Sequence, residues 1–187
     1  MKKLAIAGAS LALAAMPVVG VFADDITTVK DTIQVTVSSF CRFGASTSGT
    51  VNPSIATEKD NTYSQSGQAP GALVELGSTT LAIECNDAHG YQITPSMTSL
   101  TDTDASDGTG TAITFKDGTD AAANDGKWSA AYSGAATGNF TSGTAITGSS
   151  SMTDTYTISY KVGLGADQEA ATYQGTATYV LAAQAGN

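Results

Sequence analysis

Histidine and tryptophan each occur once in this chain, as His89 and Trp128, and proline occurs only four times. One histidine is too few for a His-rich metal centre, and no G-x-S-x-G turn is present to raise a nucleophilic serine toward His89. His89 reads instead as an ordinary residue of the turn Asn86-Asp-Ala-His-Gly90. Basic residues are scarce as well, with 8 Lys+Arg against 17 Asp+Glu. Such a balance repels phosphate backbones and excludes nucleic acid as a partner. The two cysteines, Cys41 and Cys85, lack the C-x-x-C spacing of a redox or zinc pair. Gly108-Thr-Gly110 lacks the third glycine of a nucleotide fingerprint. No cofactor is expected, and no enzyme signal survives.

The one long apolar run is at the amino end. Met1-Lys2-Lys3 is a basic start, Leu4 to Val19 is apolar with Pro17 inside it, and Val21-Phe22-Ala23 has the small-x-small pattern of a signal-peptidase site. Small residues crowd the run and Asp24-Asp25 follows it, which favours a cleaved signal peptide over residues 1–23 rather than a transmembrane anchor. The expectation is an exported bacterial protein, secreted or held at the cell surface, with no membrane span after cleavage. Cleavage removes Lys2 and Lys3 and no acid, leaving a net charge of −11. Residues 24–187 are expected to form one domain.

Thr, Ser, Gly and Ala dominate that domain, as suits pleated exposed faces and turns. An exported chain with an even cysteine count points to a single Cys41–Cys85 disulfide. Closing that loop removes about 4 kcal/mol of denatured-state entropy in the chain-entropy picture. Period-two alternation predicts strands over Thr32–Ser38, Ala72–Glu75, Ser78–Cys85, Tyr91–Thr94, Ala112–Phe115, Lys127–Tyr132, Phe140–Ile146, Thr155–Val162 and Ala171–Ala182. Residues 60–71 read as a loop, and Pro95 as a strand stop or edge marker. Gly163 to Ala170 reads as the connection of a hairpin spanning the last two strands. The mature chain has no amphipathic helical period, and short strands between turns predict an all-β, two-sheet antiparallel β-sandwich.

The stretch 101–151 is looser and rich in small polar residues, so long loops are expected there. Asp102, Asp104 and Asp107 with Gly108 have the spacing D-x-D-x-x-D-G, one residue longer than an EF-hand start, and Ile113 stands where such a loop wants Glu. A solvated acidic loop is the plainer reading; a calcium site completed by Asp117 or Asp120 is the alternative. Trp128 fits core packing better than a sugar platform.

Three segments together resemble a known family. Ile33-Gln-Val-Thr-Val-Ser-Ser-Phe-Cys41 resembles the start of spore-coat-U-type and chaperone–usher pilin subunits. Thr80-Leu-Ala-Ile-Glu-Cys-Asn-Asp87 resembles the strand carrying their partner cysteine. Tyr160-Lys-Val-Gly163 followed by Gln168 to Tyr179 resembles their final hairpin. The resemblance covers the two ends of the mature chain and leaves the middle unmatched. It implies an immunoglobulin-like β-sandwich lacking one strand, completed by the amino-terminal extension of a neighbour. The donor would lie within 24–37, with Val29, Ile33, Val35 and Val37 as its apolar side chains and Asp31 as a polar intrusion. The implied partners are like subunits or another surface protein, with a periplasmic chaperone during export. Two departures stand out: Gly186 rather than an aromatic is penultimate, and the donor stretch runs straight into the first strand. The competing expectation is a self-sufficient, monomeric exported module that binds a glycan or protein through the 101–151 loops.

Overall fold

A computed structural model describes residues 33–51, 59–104 and 110–186. Thirteen strands and no helix make up the regular structure of these residues. In chain order they are β1 Cys41–Phe43, β2 Thr50–Val51, β3 Lys59–Asp60, β4 Leu73–Cys85, β5 Tyr91–Met97, β6 Thr101–Asp102 and β7 Thr114–Phe115. They continue as β8 Lys127–Gly134, β9 Gly138–Asn139, β10 Ile146–Gly148, β11 Thr155–Gly163, β12 Tyr173–Gln174 and β13 Ala177–Ala183.

The larger sheet has the order β1-β4-β11-β8-β7, with β9 also pairing β8, and curls into a half-barrel. The second has the order β10-β5-β13, and two-stranded ladders join β12 to β6 and β2 to β3. All pairings are antiparallel except the short β7–β8 ladder. The chain is therefore all-β, with one disulfide between Cys41 and Cys85, which face each other across β1 and β4 at a Cα separation of 4.1 Å.

Alternation dictates which side chains go inward. Along β11, Tyr156, Ile158, Tyr160 and Val162 are buried while Thr155, Thr157 and Ser159 are exposed. One core collects these residues with Leu81 and Ile83 of β4, Tyr91 and Ile93 of β5, and Trp128 and Ala130 of β8. Trp128 lies edge-on to Phe115 at 4.7 Å and donates its indole N–H to Thr98 O at 3.0 Å, so it is core packing.

Beyond the three residues of β1, the edge of β4 is covered by side chains acting as a strand. Thr47 Oγ1 accepts the Ala82 N–H at 3.0 Å and donates to Ala82 O at 3.2 Å, while Ser48 Oγ accepts the Thr80 N–H at 2.9 Å and the Ser48 backbone N–H donates to Thr80 O at 2.8 Å.

Several expected elements are drawn differently. The run Thr32–Ser38 joins no ladder where it is described, from residue 33 onward. The two strands expected at Ala72–Glu75 and Ser78–Cys85 are one strand of 13 residues. A bulge leaves Leu76 unpaired, since Tyr160 faces Gly77 and Lys161 faces Glu75. Gly77 takes φ +148°, and a Cβ there would sit 2.7 Å from the Tyr63 ring, so this position needs glycine both for conformation and for space. Pro95 does not stop β5; it stands where β5 is locally an edge, because β10 pairs only with residues 91–93. Pro95 O accepts the Gly143 N–H at 2.8 Å, and the missing N–H of Pro95 faces a side where no strand runs.

The run expected at Phe140–Ile146 is instead the link between β9 and β10, reaching a strand only at Ile146 and turning at Gly143 with φ +77°. Ala171–Ala182 divides into β12 and β13 at Gly175. Most consequentially, β11 and β13 are not a hairpin: β11 pairs β4 and β8, whereas β13 pairs β5 in the other sheet. The 163–170 connection crosses between sheets. The middle of the chain is also less loop-like than its composition suggests, since it supplies β6 to β10 and the buried Ile113, Ala121, Trp128 and Phe140.

Candidate functional site

The chain divides between Thr36 and Val37. Of the first part, residues 33–36 are described; they lie outside any ladder, with Ile33 88% and Val35 80% exposed. Val37 begins the second part and is 77% exposed. Three β-branched apolar residues at period two thus stand in water, and each has lost nothing of its unfolded hydration cost. Val29 lies outside the described residues.

The exposed stretch ends abruptly. Phe40 N–H donates to Asn86 Oδ1 at 2.7 Å, Asn86 Nδ2 donates to Ser38 O at 3.1 Å, and Asn86 N–H donates to Phe40 O at 3.1 Å. The His89 backbone N–H, with Ser39 and the His89 ring, holds the Asp87 carboxyl below the usual carboxylate range. Cys41, bonded to Cys85, follows at once. The Cys41–Cys85 bond was legible in the sequence; the contacts of Asn86 and Asp87 were not, since both read only as turn residues.

A second feature lies at the carboxyl end. β13 pairs β5 on one side, and among the described residues no ladder forms on the other, so seven residues present an open edge. Its sequence, Ala-Thr-Tyr-Val-Leu-Ala-Ala, carries no charge, proline or glycine to discourage a further strand. Ala177, Tyr179 and Leu181 face the core yet are only partly buried, as are Cys41 and Phe43 of the neighbouring β1. A rim of half-covered apolar side chains therefore runs between β1 and β13. Val180, on the opposite face of β13, is 59% exposed.

The chain after β13 is secured rather than free. Gln184 N–H donates to Gly90 O at 3.0 Å, and its side-chain amide donates to Tyr91 O at 2.9 Å and Gly148 O at 3.1 Å.

The acidic candidates are used locally. Asp102 Oδ1 accepts the Asp104 N–H, and Asp104 Oδ2 accepts the Thr172 N–H, each at 2.8 Å. Asp107 lies outside the described residues. Asp117 Oδ1 accepts the Ser142 N–H at 2.7 Å, and Asp120 pairs Lys161 at 3.1 Å. Among the described residues no three His, Cys, Asp or Glu side chains converge as metal ligands. His89 Nδ1 stands 3.4 Å from Asp87 Oδ1 on an exposed turn. The described residues also form surface hollows. One of about 500 Å³ is lined by Glu75, Ser78, Ser159 and Lys161, and one of about 210 Å³ by Thr111, Gly126 and residues 165–168.

Comparisons with protein-family models, with curated proteins and with solved structures each found no match. The functional reading therefore rests on the arm, the open edge and the half-covered rim.

Proposed function

We propose that this chain is an exported surface subunit that joins like subunits by strand complementation, with the 24–37 segment of one copy laid along the open edge of β13 in the next. The observation that carries the reading is the strand order. An immunoglobulin-type sandwich has one sheet in the order A-B-E-D and a second containing C-F-G. The order β1-β4-β11-β8 supports the first, and β10-β5-β13 supports a second sheet that stops at F. The place of G is the open edge of β13, beside the partly buried Tyr179 and Leu181.

Strand addition there satisfies the free main-chain groups of β13 and lets alternate donor side chains complete the rim. Ile33, Val35 and Val37 have the period and the exposure for that task. The resemblance to spore-coat-U-type and chaperone–usher subunits supports the same mechanism, and so does the expected export signal. An unfilled edge of this kind also calls for a protective partner before assembly, which is the role of a periplasmic chaperone in this reading.

The test is the solution mass of the protein purified after export, by size exclusion with light scattering. Large species that disappear when residues 24–37 are deleted support complementation. A sharp monomer with the same unfolding midpoint with and without those residues overturns it and leaves the self-contained binding module.

A further inference from the structure

We infer that Asn86 is the positioning residue of the amino-terminal arm, holding the chain from Ser38, the residue after the exposed Val37. This rests on the complementation reading above. The Asn86 side chain behaves as a two-way strand partner, accepting from Phe40 N–H at 2.7 Å and donating to Ser38 O at 3.1 Å. Its own N–H donates to Phe40 O at 3.1 Å, so Ser38 and Phe40 are both held from one short turn. One residue earlier, Val37 is 77% exposed. The clasp begins where the β1–β4 ladder ends, because Asn86 follows Cys85 and Phe40 precedes Cys41.

Asparagine suits the position chemically. Its short amide carries an acceptor and a donor on one carbon, whereas aspartate cannot donate and alanine can do neither. The consequence for assembly is entropic. Each residue ordered on docking opposes association, and residues already held add nothing to that cost. A clasped arm has fewer residues to order than a loose one, and its apolar side chains start from one register.

The test compares wild type with Asn86→Ala and Asn86→Asp, all purified after export. Backbone 15N relaxation, recorded below the assembly concentration, should show rigid Ser38–Phe40 in wild type and fast motion over Ile33–Val37. In Asn86→Ala the mobile stretch should extend through Phe40. The concentration for half-assembly should rise about tenfold, while the thermal midpoint stays within a few degrees. Asn86→Asp keeps the acceptor for Phe40 and loses the donor to Ser38, so it should fall between the two. It carries the test alone if Asn86→Ala does not fold.

Assembly by both variants at the wild-type concentration would overturn the positioning role while leaving complementation intact. A wild type that stays monomeric at every concentration would instead bring down the complementation reading, and this inference with it.

Discussion

The Tyr91 hydroxyl donates to Asp154 Oδ2 at 2.7 Å, joining the second sheet to the segment that enters β11. The same hydroxyl lies 3.0 Å from that of Tyr156, and the two rings meet edge to face at 6.5 Å. Asp154 Oδ1 accepts the Ser151 hydroxyl at 2.7 Å, so the carboxylate serves two elements. Burial, with the Asp154 and Tyr156 bonds, pushes the Tyr91 hydroxyl well above the usual tyrosine range, so it stays protonated throughout the accessible pH range.

Tyr91→Phe keeps the ring and removes the hydroxyl, leaving Asp154 one donor short. The expected loss is about 1–3 kcal/mol, read from the urea midpoint at unchanged slope. A variant as stable as wild type would mean that water replaces the hydroxyl without cost.

Cys41–Cys85 closes a loop with a sequence separation of 44, and only three ladder pairs otherwise hold β1 to β4. Replacing both cysteines with alanine should lower stability by about 4 kcal/mol. Guanidinium unfolding of the double variant against the oxidised protein measures this directly. It does not distinguish assembly from monomeric binding, since either needs β1 in place.

The arm and the edge can be altered without touching the core. Ile33→Asp with Val35→Asp places charges on side chains that are already exposed, so the thermal midpoint should move by less than about 2 °C. Under complementation the same pair should abolish large species, because carboxylates would then face an apolar rim. Val180→Lys should weaken assembly while leaving the monomer folded, since lysine on an open edge discourages strand addition. Light scattering across a concentration series reads both effects. Unchanged assembly in either variant would place the contact elsewhere.

Part of the acid sensitivity should be traceable to the Lys116–Asp125 ion pair. Asp125 Oδ2 lies 2.7 Å from Lys116 Nζ, and that bond, helped by the Ala122 N–H, holds the Asp125 carboxyl below its ordinary value. A folded value below the unfolded one contributes stability that is present above about pH 4 and lost as pH falls through the folded value. Asp125→Asn should therefore be less stable than wild type near neutrality, and the difference should shrink on acidification. Urea midpoints from pH 2 to 7 for the two proteins check this. A constant gap across that range would assign the effect to the loop hydrogen bond rather than to charge.

Much of the local structure was written in the residues. The alternation of Tyr156, Ile158, Tyr160 and Val162 marks a half-buried strand wherever the chain runs, because period two sends successive side chains to opposite faces. The disulfide was legible from the even cysteine count of a chain expected to be exported, although Cys41 opens β1 rather than closing the run before it, and the all-β class follows from many alternating runs with no helical period. Partnership was decided only in three dimensions. Thr155–Val162 and Ala177–Ala182 look like the arms of a hairpin, yet alternation says which face a strand buries and nothing about which strand it joins. Pro95 could sit inside β5 only because β10 is short, a fact about a different segment. Leu76 became a bulge because Tyr63 packs over Gly77 and Tyr160 must still reach the core. The same limit governs the candidate site. The apolar period of Ile33, Val35 and Val37 was legible from the chain alone. That these residues stand exposed, that Asn86 holds the chain just beyond them, and that β13 is left with an open edge all depend on contacts between segments far apart in sequence.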